Sequence, residues 1–193
     1  LFLELLQIAL GNRERLSVAP SETEWTELFS FAQEQTLVGI AFTGIELLPV
    51  EQRPPKMLLM QWYSLANLIK VRNAEQDRKS LAVANRFLKD GFKSVILKGQ
   101  GMAQLYAKGE YRVPGDIDIW LDESWEIIVS YVQSHAPSYT PLYHHIDFFP
   151  IGGTEIEIHF TPSWMNCYFT NRTLQNFFRQ YSKKIFCNEE HLV

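Results

Sequence analysis

The feature that most constrains this chain is a change in hydrophobic period near residue 91. Before it, apolar residues recur every three to four positions; after Phe92 they come in short runs that alternate with polar residues. Helices and strands bury their faces in incompatible ways, so the change predicts a helical region at 1–91 and an α+β region from 92 onward. In the first region, Ser21 followed by Glu24 forms a capping-box pattern, and Trp25, Leu28, Phe29 and Ala32 continue at helical spacing, which predicts a helix over 22–35. The apolar segment 37–48 ends at Pro49. Pro54-Pro55 then opens a long helix carrying Leu58, Leu59, Trp62, Leu65, Leu68 and Ile69, with its stop at Gly91. Polarity rises over 73–80, which fits one solvated helix or a break between two.

After residue 91, Ser94-Val95-Ile96-Leu97 reads as a strand. Gly99 and Gly101 make a turn, and a helix is expected around 102–107. Asp116-Ile117-Asp118-Ile119-Trp120-Leu121 alternates as a half-buried strand does, so Asp116 and Asp118 share a face. A helix over 125–133 should turn Ile127, Ile128 and Tyr131 inward. Residues 145–149 and 154–160 flank Pro150, Gly152 and Gly153 as a hairpin, and Glu155, Glu157 and His159 line one side of its second arm.

Composition sets the wider limits. The 193 residues are 46% hydrophobic and 21% charged, enough for a sizeable core in one domain or two small ones. A net charge of −4 provides no general field for nucleic acid or an anionic membrane, so neither is an expected partner. Two cysteines, Cys167 and Cys187, are too few and too widely spaced for a disulfide framework or a four-ligand zinc site and are read as reduced thiols of a cytoplasmic protein. The apolar stretch 1–10 is interrupted by Glu4 and lacks a basic lead or an A-x-A site, which favours an amphipathic helix over a signal peptide. No apolar run approaches the roughly 20 residues that span a bilayer. Asn171-Arg172-Thr173 matches a glycosylation sequon, read here as chance. The absence of an initiator Met and the ending after Glu189-Glu190-His191 are what a piece of a longer protein would show.

The chemistry begins with repulsion. Two carboxylates on one strand face, buried together, raise a pKa or require a cation between them. If the strand bearing Glu157 lies beside that of Asp116 and Asp118, three carboxylates converge in an oxygen cluster suited to Mg²⁺. By alternation alone Glu155 is as good a third ligand as Glu157. Lys98-Gly99-Gln100-Gly101 offers a close backbone approach to phosphate, a helix start and an ammonium, and Arg112 could fork onto a phosphate oxygen. His144 and His145, as strand neighbours, should face opposite ways and are expected to be ordinary polar residues. Trp164, Tyr168, Phe169, Phe177 and Phe178 are expected to pack a helical core rather than to form a base-stacking platform.

From about Ser94 to Phe160 the residues resemble the DNA polymerase β-like nucleotidyltransferase superfamily, and within it an uncharacterised bacterial group. The resemblance rests on Val95-Ile96-Leu97-Lys98-Gly99, Tyr106, Arg112, Gly115-Asp116-Ile117-Asp118-Ile119 and Ile156-Glu157-Ile158-His159-Phe160. It implies a mixed β-sheet with flanking helices at 92–161, preceded by the helical region 1–91 and followed by a C-terminal helical segment at 162–193. It also implies that Asp116, Asp118 and Glu157 are the catalytic metal ligands. Lys98, Gly99, Gln100, Gly101 and Arg112 would hold the nucleotide phosphates. His159 falls where this group often has a histidine after its third acid. Two Mg²⁺ ions, with Mn²⁺ as a substitute, an NTP (ATP foremost) and an acceptor on a small molecule or protein follow from the resemblance. In such enzymes acceptor specificity usually lies outside the sheet. Gln100 stands where many relatives carry Gly or Ser, which motivates one alternative, a catalytically silent nucleotide-binding module; a metal-dependent phosphohydrolase using similar carboxylates is another.

Overall fold

The computed structural model describes residues 1–187. The protein is α+β, with a helical N-terminal region followed by a four-stranded mixed sheet and its helices. Its chain divides into two compact units: 1–75 with 103–114, and 76–102 with 115 onward.

The first unit is helical. α1 (Phe2–Ala9), α2 (Glu22–Glu34), α3 (Val38–Leu47) and the opening turns of α4 (Lys56–Lys89) enclose a core of Leu5, Ile8, Trp25, Leu28, Phe42, Ile45, Trp62 and Ile69. The capping box forms as the sequence predicts: Ser21 accepts from the Glu24 backbone N–H, and the Glu24 carboxylate accepts from the Ser21 N–H at 2.7 Å. α1 is amphipathic, burying Leu5 and Ile8 and exposing Leu3.

α4 is one unbroken helix of 34 residues, so the polar stretch 73–80 is no break. Nor is it solvated throughout, because Asn73, Gln76 and Ser80 are buried. In the first unit the Asn73 amide donates to the carbonyls of Glu110 and Arg112, fixing the segment around the short helix Gly109–Tyr111. Spacing of three and four along a helix turns such residues to one side, and Asn73 and Gln76 find backbone acceptors that composition does not reveal.

The second unit is built on β1 (Ser94–Ile96), β2 (Ile117–Leu121), β3 (His145–Ile151) and β4 (Thr154–His159), in spatial order β1-β2-β4-β3. β2 runs antiparallel to β1 and parallel to β4, and β3–β4 is the antiparallel hairpin the sequence predicts. One sheet face carries Ile117, Ile119, Leu121, Ile146, Phe148, Ile156 and Ile158, packed with Val83 and Phe87 of α4 and with Ile128, Val129 and Val132 of α6 (Trp125–His135). The inward set on α6 thus differs from expectation: Ile127 is exposed and Tyr131 only partly buried, its hydroxyl donating to Asp90. β2 is also buried on both faces rather than half-buried, because Phe178 and Phe186 of α7 (Tyr168–Cys187) pack against Trp120 on its second side. The packed-core reading of the C-terminal aromatics holds for Phe178 and fails for Trp164, Tyr168, Phe169 and Phe177, which are exposed.

After β1 the chain enters α5 (Lys98–Ala103), interrupted by non-helical Gly99, so helical turns come earlier than the predicted 102–107. No helix among the described residues is long and apolar enough to cross a membrane.

Candidate active site

The sheet register decides which carboxylates meet. In the parallel β2–β4 pair, Asp118 lies opposite Glu157, on neighbouring strands that run about 4.8 Å apart. Asp116 sits just before β2. One carboxylate oxygen from each of Asp116, Asp118 and Glu157 lies within 4.8 Å of the other two. Glu155, exposed and two residues further from the Asp118 register, is not in this group.

The three acids differ in environment. Asp118 is buried, with 4% of its side chain exposed, whereas Asp116 is exposed and Glu157 intermediate. Burial pushes the Asp118 carboxyl up, but His159 Nε2 at 2.8 Å and Lys98 Nζ at 2.7 Å on the same oxygen outweigh it, lowering the pKa to about 2. Asp118 is therefore a carboxylate at any physiological pH, held by a cation and an imidazole. Asp116 is positioned through its backbone: Gln76 of α4, itself buried, donates to the carbonyls of Gly115 (2.8 Å) and Asp116 (3.4 Å), and its own oxygen accepts from Thr154 at the start of β4. Gln76 braces the beginnings of both acidic strands. Its signal in the sequence is faint, a lone amide in a polar helical stretch.

The Lys98–Gly101 turn is tightly specified. Lys98 (φ 37°) and Gly99 (φ 22°) both have positive φ, a region that L side chains seldom enter. Gly101 is required by proximity, since a Cβ there would lie 2.6 Å from the Ile96 carbonyl oxygen. Gln100 is buried and donates its amide to Asp77 of α4, so it anchors the turn from beneath. The Lys98 ammonium rests on Asp118, yet 58% of its side chain is exposed. Arg112 belongs to the first unit, where it follows the Gly109–Tyr111 helix and its Nη1 is buried without a hydrogen-bond partner.

Three histidines gather beside the acids, against the expectation that His144 and His145 diverge. Alternation governs residues inside a strand, but His144 precedes β3, and its ring turns back so that its Nε2 lies 3.3 Å from His145 Nδ1. His145 Nδ1 lies 3.7 Å and His159 Nε2 3.5 Å from Glu157 Oε2. Burial and then the neighbouring His145 and His159 push His144 below the ordinary histidine range, favouring the neutral ring.

No curated protein and no solved structure matches the chain. The family described as "Uncharacterised nucleotidyltransferase" matches residues 21–192, a span that takes in the acidic strands, the glycine turn and most of the helical region. By that match the chain belongs to the uncharacterised nucleotidyltransferase family.

Proposed function

We propose that the protein moves a nucleoside monophosphate from an NTP, ATP foremost, to a hydroxyl-type acceptor on a small molecule or protein, in a Mg²⁺-dependent reaction whose catalytic core lies within 92–161. The observation that carries this reading is the parallel β2–β4 register, which sets Glu157 beside Asp118 and groups it with Asp116. The donor set fits the metal: three carboxylates, one buried and ionised, are the hard oxygen ligands that Mg²⁺ or Mn²⁺ takes. Asp116, Asp118 and Glu157 would hold the ions, which when bound neutralise phosphate charge and favour the leaving pyrophosphate.

The residues of the chain supply the rest. Lys98, with its side chain half in solvent, swings its ammonium from Asp118 to a phosphate oxygen, and the Gly99–Gly101 turn lets the backbone approach that phosphate. Glu157 accepts the acceptor's proton as its oxygen bonds to the α-phosphorus, the bond to the β-phosphate oxygen breaks, and pyrophosphate leaves. His159, fixed on Asp118, keeps that carboxylate oriented and ionised. Positioning and charge neutralisation do most of the catalysis in phosphoryl transfer.

The test is incubation of the full chain with Mg²⁺, a cell extract and ATP labelled at either the α- or the γ-phosphate. The expected result is α-label on an acceptor, absent with Asp118→Asn. Released inorganic phosphate with no labelled acceptor would replace this reading with a phosphohydrolase. NTP binding without any product would replace it with a silent nucleotide-binding module.

A further inference from the structure

We propose that His145, Glu157 and His159 form a second metal site, specific for a zinc-class divalent ion, which shares Glu157 with the acidic triad. One donor atom from each of these residues lies within 4.8 Å of the other two. The separations are those of ligands around a single ion: bonds of about 2.0–2.1 Å to a tetrahedral zinc put its ligands about 3.3 Å apart. Here His145 Nδ1 and Glu157 Oε2 stand 3.7 Å apart, and Glu157 Oε2 and His159 Nε2 3.5 Å. The two histidine nitrogens stand within 4.8 Å of each other, so side-chain adjustment about Glu157 brings the set onto one ion.

The chemistry of the donors separates the two sites. Two imidazoles and one carboxylate suit zinc and its first-row neighbours, whereas Mg²⁺ avoids nitrogen and seeks an all-oxygen shell. The surroundings also suit a ligated imidazole. The far nitrogen of His145, Nε2, lies 3.8 Å from the Asp147 carboxylate, the partner that commonly orients a zinc-bound histidine. His144, whose Nε2 lies 3.3 Å from His145 Nδ1, brings another imidazole to the rim. His159 is fully buried, and a single bond to Asp118 holds it, because its Nδ1 has no partner.

Filling this site has a consequence for the other one, in a part of the inference that rests on the nucleotidyltransfer reading. A zinc ion would take Glu157 from the triad and His159 from Asp118, leaving Asp118 with Lys98 alone. Zinc and the carboxylate-bound ion therefore oppose each other, and micromolar zinc inhibits transfer.

Calorimetric titration of Zn²⁺ into the metal-stripped full chain, prepared without a histidine tag and without nucleotide, tests the site directly. One ion should bind, and His145→Asn should weaken it by at least about tenfold. His145→Gln, which keeps a polar side chain at this buried position, should weaken it similarly, with the fold of each variant checked by circular dichroism. Asp116→Asn should change zinc affinity less than about threefold. Equal zinc affinity in wild type and both His145 variants would overturn the proposal, as would a loss in Asp116→Asn matching theirs, which would assign the ion to the acidic triad. Inhibition of transfer by zinc, relieved in His145→Asn, is expected in the labelled assay. Should the protein transfer nothing, the nucleotide-free calorimetry still decides the zinc site, so the two failures are distinguishable.

Discussion

In the first unit, the buried polar side chains are neutral and serve the backbone: Gln52 pairs with both the N–H and the carbonyl of Leu16 at 2.9 Å, Thr43 donates to the Ile40 carbonyl, and Asn73 ties down the carbonyls of 110 and 112. In the second unit, the buried set includes Asp118, His145 and His159; Asp118 bonds to His159 and Lys98, and both histidines lie against the Glu157 carboxylate. A neutral amide on a backbone group satisfies a loop and stops there. Ionisable groups buried on one another keep unspent charge, which is costly for folding and useful for binding ions. The difference sets backbone support in one unit against, on the reading proposed above, ion binding in the other.

This contrast can be broken. Asp118→Asn should lower nucleotidyl transfer by about 10³-fold or more, some 4 kcal/mol of barrier, with a much smaller change in the urea midpoint; matched losses in both would erase the distinction. Gln52→Leu should do the reverse. It strands a buried N–H and carbonyl of Leu16, so unfolding in urea should show a loss of about 2–3 kcal/mol, with the turnover of folded protein unchanged.

Gln76→Leu sharpens the comparison, because Gln76 is a structural amide beside the proposed site. A loss of about 1–2 kcal/mol in stability is expected together with a roughly tenfold fall in transfer, as the loop before Asp116 loosens. The pH dependence should also separate the units. The Asp118 pKa lies at about 2 when folded, below its ordinary value of 3.8, so its contribution is present above pH 4 and is lost as pH falls from about 4 to about 2. In metal-free acid titrations followed by circular dichroism, that contribution should amount to about 1 kcal/mol, given the exposure of Lys98, and should vanish in Asp118→Asn. The smallest effect belongs to Glu155→Gln: stability within about 0.5 kcal/mol and transfer within about twofold of wild type, against a large loss for Glu157→Gln.

What was legible in the sequence was local. Ser21 and Glu24 cap a helix through atoms three residues apart, and the alternation of 116–121 and 154–160 comes from the pleat of a single strand. The choice between Glu155 and Glu157 was not local; it depends on which residue of β4 stands opposite Asp118, a register that the resemblance anticipated and alternation could not. The histidine cluster escapes a sequence reading because the alternation that would separate His144 from His145 holds only within β3, which starts at His145. Gln76 escaped for a related reason: a polar residue in a polar stretch reads as solvated until the segments it bonds, 115–116 and 154, are brought over it. Helical spacing alone fits either Ile127 or Val129 as the inward neighbour of Ile128, and packing against the sheet buries Val129.

The left-handed backbone at Lys98 carries an implication for how this position came to hold a lysine. Asparagine or glycine would sit there with less strain, since a long side chain in that conformation costs about 1–3 kcal/mol. The ammonium, which bonds to Asp118 at 2.7 Å and is proposed to reach a phosphate, is what a lysine adds at this bend, and Lys98→Asn is the replacement that eases the chain while removing the charge, allowing the two to be weighed apart.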